Sequence, residues 1–284
     1  MQASDCKQNI MKKGGCPLGE HSPKERADVV VVSRGLAPSR QKAQALIMAG
    51  LIVCRGQKIT KPGQLIGIDQ ELSCLERIPY VSRGGMKLAG ALDAFKISVK
   101  EKIAADLGAS TGGFTDCLLQ RGAKKVYAVD VDTRQMDCRL RQDARVILIE
   151  KNARYLTRDD FGEQLDIVTL DLSFISVLKV LPALADFLGK GKLLALIKPQ
   201  FEVGKGQVGK KGIVRDPALH EEVLARISEQ SDKIGFKLRG LTRSSIRGQK
   251  GNREFFVYWS RGRDSLSKSE IENMVKREVW DEKN

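Results

Sequence analysis

The sequence predicts an α/β fold: a doubly wound, mostly parallel, Rossmann-like sheet preceded by a small α+β module. Two observations carry that prediction. From about residue 102, β-like runs recur at 103–107, 126–130, 146–149, 167–171 and 193–197, with helical patterns such as 114–121, 176–188 and 217–234 between or after them. Strands alternating with helices build parallel sheets, because a parallel connection needs a crossover. The second is length. At 284 residues the chain exceeds one such sheet, since domains hold ~100–200 residues.

The front of the chain reads in order as a leader, two helices and a hairpin. Residues 1–24 are polar and rich in Gly and Lys, a loose leader without an apolar core. Residues 26–36 form a first helical stretch. After Pro38, Ser39 is placed to cap a second helix whose Ala43, Leu46 and Ile47 share one face, and Gly50 ends it. Residues 51–60 then read as a short hairpin turning at Arg55-Gly56, followed by the breaker Lys61-Pro62-Gly63.

Charge and composition narrow the function. Forty-nine Lys and Arg against 35 Asp and Glu give +14, which points to a polyanionic partner. Half of that surplus lies in the first 90 residues. The six cysteines form no C-x-x-C pair, and with only two histidines the chain offers no zinc constellation. The cysteines read as reduced thiols of a cytoplasmic protein. No run approaches the ~18 apolar residues of a membrane span.

The front module has the order R-x-D, G, S-R-x-x-A, G, G and K-P-G, carried by Arg26, Asp28, Gly35, Ser39, Arg40, Ala43, Gly50, Gly56 and 61–63. This resembles the RNA-binding domain first seen in ribosomal protein S4. The resemblance implies RNA contacts from Arg26, Ser39, Arg40, Lys42, Arg55, Lys58 and Lys61.

In the larger domain the first strand runs into Asp106-Leu107-Gly108-Ala109-Ser110-Thr111-Gly112-Gly113-Phe114. Glycines there let backbone approach a ligand ahead of a helix. The run is not G-x-G-x-x-G, which argues against a nicotinamide cofactor. Asp130 ends the next strand about twenty residues on, where a carboxylate accepts hydrogen bonds from ribose hydroxyls. The combination suits S-adenosylmethionine, with Val131 beside the ribose carboxylate and Asn152 beyond the third strand toward the adenine. A G-x-x-x-x-G-K match at 204–210 is a decoy: Lys211 stands where a magnesium-binding Ser or Thr would be needed. It reads instead as a basic loop over the site.

Asp171 and Lys198 end strands, Glu254 enters one, and Lys87 lies on a helix ahead of the first. A ribose hydroxyl is a poor nucleophile until such a group orients it or takes its proton. The stretches YVSRGGMKL, DLGASTGGFTDCLLQRGAKKVYAVDV, LDLSFIS, LIKPQFE, KKGIVRDP and GNREFFVYW resemble the TlyA family of rRNA 2'-O-methyltransferases, often labelled hemolysin A. That family joins an S4-like domain to an FtsJ-like methyltransferase fold. The resemblance implies a catalytic tetrad of Lys87, Asp171, Lys198 and Glu254, cytidine riboses of 16S or 23S rRNA in ribosomal subunits as substrate, and no metal. Arg83, in the first stretch, joins the RNA-binding set. One departure is Val131-Asp132-Thr133-Arg134-Gln135, where many relatives carry Gly-x-x-Gln.

The expected organisation is therefore a leader (1–24), an S4-like domain (25–78), a methyltransferase domain (79–261) and a charged, partly helical tail (262–284), acting as a monomer. Two rivals predict different things. A membrane-active cytolysin needs an amphipathic or spanning segment, and none of convincing length is present. A non-catalytic RNA-binding assembly factor has no need of the tetrad.

Overall fold

The computed structural model describes residues 23–74, 79–204, 206–248, 250–262 and 266–281. Most of the expected leader, residues 1–22, lies outside them. The chain forms two compact units, divided near residue 77.

The first unit contains β1 (Lys24–Arg26), α1 (Ala27–Ser33), α2 (Arg40–Met48), β2 (Ile52–Cys54), β3 (Gln57–Lys58), β4 (Leu65–Gly67) and β5 (Leu72–Cys74). Ser39 caps α2 as its position suggests, its Oγ accepting from the Lys42 N–H at 3.2 Å. Strands β2 and β3 pair as a hairpin around Arg55-Gly56. Val30, Val31, Ala43, Ile47, Ile52 and Ile59 fill a core of their own. That core lets so short a stretch hold its shape.

The second unit contains α3 (Arg83–Ala94), β6 (Ile103–Leu107), α4 (Gly113–Gln120), β7 (Lys125–Asp130), α5 (Cys138–Arg141), β8 (Val146–Glu150), β9 (Ile167–Leu170), α6 (Leu181–Phe187), β10 (Lys192–Ile197), α7 (Pro199–Glu202), α8 (Pro217–Lys233), β11 (Phe236–Arg243), β12 (Phe255–Arg261) and α9 (Lys268–Trp280). Seven strands form one sheet in the order β11-β12-β10-β9-β6-β7-β8. All neighbours are parallel except β12, antiparallel to both β10 and β11. Side chains alternate between two cores, one on each face. Ala105, Leu107, Val129, Val168, Leu170 and Ala195 go to one; Ala104, Val126, Ala128, Ile167, Leu194 and Leu196 go to the other. Chain order reverses where β6 lies beside β9, and such a switch point opens a crevice at the strands' carboxyl ends.

Two expectations need correction. The single helix expected over 176–188 is a 3₁₀ turn at Val177–Lys179 followed by α6, whose first turn carries Pro182. Proline lacks the N–H an interior helical position must donate, so the helix starts anew there. The charged tail is not a separate segment either. Its residues 268–280 form α9, which packs on α8 and β11, with Val275 and Val279 buried in the main core. Ile271 and Met274, partly buried against the same core, share the docking face with them, while the remaining face is mostly charged.

Candidate active site

Register brings the predicted residues to one edge of the sheet. Leu107 pairs with Leu170 and Val129, Ala195 with Leu170, and Ile197 with Phe255. Gly108, Asp130, Asp171, Lys198 and Glu254 each lie one step beyond these partners. Neighbouring strands are ~4.8 Å apart. Glu254, Lys198, Asp171, Gly108 and Asp130 therefore follow one another along the edge.

The four polar residues of the tetrad form two ion pairs. Lys198 Nζ lies 2.8 Å from Asp171 Oδ1 and donates to Ser173 Oγ at 2.9 Å. The contact with Asp171 is a close ion pair rather than an aligned hydrogen bond, since Oδ1 is a buried acceptor without a hydrogen-bond donor. Lys87, reaching across from α3, meets Glu254 Oε2 at 2.5 Å. Both lysine side chains are nearly covered, 12 % and 11 % exposed, and Glu254 is 3 % exposed. Gly248 closes over Glu254: a Cβ there would collide with Oε1.

The glycine turn requires its glycines. Gly108 has φ +85° and packs so closely on β9 that a Cβ would sit 2.7 Å from the Asp171 carbonyl oxygen; Gly112 has φ +92° just before α4. Neither conformation suits an L side chain. The Asp130 carboxylate accepts from Ser110 N–H at 2.8 Å and Asp132 N–H at 3.1 Å. A carboxylate offers about four acceptor positions, so two remain for hydroxyl donors. Ser110 and Thr111 are exposed beside it, and Val131 shows an apolar surface 66 % exposed. An acceptor carboxylate next to an open apolar face is the acceptor and surface set that a nucleoside ligand needs.

Some of the expected cofactor residues do not face the crevice. Asp106 is fully buried, accepting from Thr115 Oγ1 at 2.8 Å and Thr169 Oγ1 at 3.1 Å. It braces the turn from beneath and cannot touch a ligand. Phe114 is likewise buried, stacked on Phe256, and Gly113 packs against Ser82 and Gly85. Gly112 and Ala109 are buried too. Asn152 is exposed beyond β8, where its Oδ1 caps the next turn by accepting from Arg154 N–H at 3.0 Å.

Burial pushes the Asp106 carboxyl up to about 7, against the two hydroxyl donors that lower it. The folded chain thus holds a proton that the unfolded chain releases near pH ~4. Folding stability is expected to fall as pH rises from about 4 to about 7 and to level off above that. In Asp106→Asn this part of the decline should vanish. Denaturant midpoints at pH 5 and pH 7.5 check it, and the wild-type decline persisting in the variant would refute the assignment.

In the first unit, Arg26, Ser39, Arg40, Lys42, Arg55, Lys58 and Lys61 are all exposed. Two are not simple surface charges. Buried Asp28 accepts from Arg26 Nε and Nη2 and from Arg40 Nε, each at 3.0 Å, and from Gln44 Nε2 at 2.8 Å. These partners, Arg26 foremost, hold its carboxyl far below the usual range. Asp28, whose role sequence reading missed, thereby fixes two guanidiniums at the surface. Glu202 was missed in the same way. It accepts from Ser176 Oγ at 2.7 Å and Val177 N–H at 2.8 Å, tying the KPQFE stretch to LDLSFIS. Only the pairing of the two motifs in space reveals it.

A seven-stranded sheet with its penultimate position reversed, a glycine turn at its switch point and a carboxylate ending the next strand together define a methyltransferase of the Rossmann type. The family models of the FtsJ-like methyltransferase and the S4 domain match residues 80–261 and 25–72. A Bacillus subtilis protein, YqxC, named provisionally as an rRNA methyltransferase, is 49% identical over 84% of this chain and 86% of its own. The 16S/23S rRNA (cytidine-2'-O)-methyltransferase TlyA of Mycobacterium tuberculosis is 42% identical over 89% of this chain and 97% of its own. A solved Streptococcus thermophilus structure, named provisionally as a hemolysin, is 43% identical, covers 90% of this chain and 96% of its own, and superposes with a TM-score of 0.70. The chain belongs to the TlyA family, in which an S4 domain precedes an FtsJ-like methyltransferase domain.

Proposed function

We propose that the chain methylates the ribose 2'-oxygen of cytidine in ribosomal RNA, with S-adenosylmethionine as donor. The observation that carries this is the edge itself, where Lys198–Asp171 and Lys87–Glu254 adjoin the glycine turn and Asp130. Asp130 would hold the cofactor's ribose, Val131 its adenine face and Asn152 the far side of the base, with the backbone of the turn at 108–111 cradling the remainder. When bound, S-adenosylmethionine supplies a methyl group already activated on a sulfonium.

The chain's own residues do the rest. Asp171 and Ser173 hold the Lys198 ammonium in one place, so its remaining N–H can bind and orient the 2'-oxygen and offset negative charge growing there. Glu254, held by Lys87, is the second carboxylate on this edge and completes the hydrogen-bonded array around the hydroxyl. As the new O–C bond forms and the methyl's bond to sulfur breaks, the hydroxyl proton passes to a carboxylate oxygen of this array, since an ammonium has no lone pair to accept it. The S4 unit supplies phosphate-binding charge through Arg26 and Arg40, helped by Ser39, Lys42, Arg55, Lys58 and Lys61. A ribosomal substrate places the work in the cytoplasm, and one copy of the chain carries every group invoked.

The name hemolysin among relatives supports no second reading: among the described residues no helix is long and apolar enough to cross a membrane. Mapping 2'-O-methyl groups in rRNA from cells with and without the gene tests the proposal, together with transfer by the purified chain to ribosomal subunits. Identical maps and no transfer to either subunit would sink it.

A further inference from the structure

The stretch between β11 and β12, residues 244–254, carries the GNRE motif, yet only Glu254 has so far been given work. Its described residues, 244–248 and 250–254, fold back on one another. Ser244 N–H donates to the Glu254 carbonyl at 2.8 Å, Gly248 N–H to the Asn252 carbonyl at 3.0 Å, and Arg247 Nη1 to the Gly251 carbonyl at 3.3 Å. Asn252 is buried and fastens the base of the loop, accepting from Val214 N–H at 3.0 Å and donating to the Gly212 carbonyl at 2.9 Å. From α3, Arg83 Nη2 donates to the Arg247 carbonyl at 3.0 Å. Arg83 stands one helical turn before Lys87, on the same face.

Beside Glu254 this loop borders an open cavity of about 400 Å³, walled by Ser244, Ser245, Arg243, Arg247 and Arg253. That volume lies within the ~300–1,000 Å³ of ligand pockets. The wall has no aromatic ring for a base to stack on. Glu254 is its single acid, and that carboxylate is matched to Lys87. Arg243 donates to the Glu278 and Asp281 carbonyls, and Arg253 to the Val279 carbonyl. Arg247 is exposed and, among the described residues, spends one N–H on Gly251. It is the guanidinium of this wall most open to a ligand.

In RNA the 2'-oxygen and the 3'-phosphate sit on adjacent ribose carbons. Any ribose that offers its 2'-hydroxyl to Lys198 and Glu254 must therefore bring a phosphodiester close by. We infer that the cavity beside Glu254 is a phosphate subsite, in which Arg247, seconded by Arg83, grips the 3'-phosphodiester of the nucleotide being methylated. This rests on the proposed 2'-hydroxyl substrate. A bidentate guanidinium suits a phosphate better than a lysine does, because its planar fork fixes orientation as well as charge.

The test compares wild type, Arg247→Ala and Arg247→Lys as full chains. Ribosomal RNA binding is followed across a salt series, and methyl transfer is followed against RNA concentration. For Arg247→Ala the binding slope against log salt is expected to become shallower by about 1, one phosphate contact fewer, with KM for RNA raised roughly tenfold. Cofactor affinity should not move. Arg247→Lys should restore the salt slope and only part of the KM. Wild-type slope and KM in Arg247→Ala would overturn the subsite, as would a loss of kcat alone, which would mean the residue merely supports Glu254. Failure of the wild type to transfer methyl groups would count against the substrate, whereas the binding slope reads the subsite by itself.

Discussion

Lys198→Ala is expected to lower kcat for methyl transfer by at least ~10³-fold while leaving the dissociation constant for S-adenosylmethionine within about twofold of wild type. The ammonium sits beyond the end of β10, pinned between Asp171 and Ser173, on the substrate side of the glycine turn. On the proposed mechanism, removing it leaves the cofactor's contacts intact and takes away the group that would orient the attacking oxygen. Preorganised donors of this kind are worth about 10²–10³ each in other enzymes, and orientation of the hydroxyl adds to that. Lys198→Arg should recover little, because a planar fork cannot reproduce the position of a single Nζ. Calorimetry gives the cofactor affinity, and single-turnover transfer of labelled methyl gives the rate. Full activity in Lys198→Ala would remove the tetrad from the mechanism.

Asp130→Ala should show the opposite signature. Two hydrogen bonds from ribose hydroxyls to a carboxylate are lost, each worth about 1.5–3 kcal/mol in favourable cases. Some of this is offset because Ser110 and Asp132 N–H groups already engage the same oxygens. A cofactor affinity weaker by about 100-fold is the expected net result, with kcat at saturating cofactor reduced only severalfold. Weak affinity with intact turnover in one variant, and the reverse in the other, would separate the two halves of the edge. Equal losses of both kinds in both variants would mean that the site is not divided as described.

Much of the fold was legible because each parallel strand, β6 to β10, is a short apolar run ended by a glycine or a charged residue, and because helices fall between or after them. The parallel strands β6 to β10 lie within one residue of where the runs predict them. What could not be read was set by contacts between distant segments. Residues 262–284 look like a charged tail since, among the described residues of that stretch, Val275 and Val279 are the fully buried apolar side chains, with Ile271 and Met274 partly so. The same difficulty hides direction in depth. A motif such as DLGASTGGF places Asp106 and Phe114 beside a cofactor on paper, yet the period-two alternation of β6 and the start of α4 turn both inward. Among the candidate catalytic residues, sequence gives Asp171, Lys198 and Glu254 their places at strand ends and Lys87 its place on a helix, but their division into two ion pairs depends on α3 crossing to Glu254. Arg26 and Arg40 illustrate the point from the other side: both are exposed as expected, and buried Asp28 between them is what fixes their direction.

The last helix carries a genetic consequence. Arg243, the final residue of β11, donates to the carbonyls of Glu278 and Asp281, and Arg253, next to Glu254, donates to that of Val279. The segment that fastens this corner of the molecule is thus synthesised after every strand of the sheet. A nonsense mutation between the codons for Gly262 and Lys268 would leave every candidate catalytic and cofactor-binding residue encoded, and inspection of the motifs would score the allele as intact. Its product would nevertheless lack the clamp on both flanks of Glu254, so such alleles are expected to behave as losses of function.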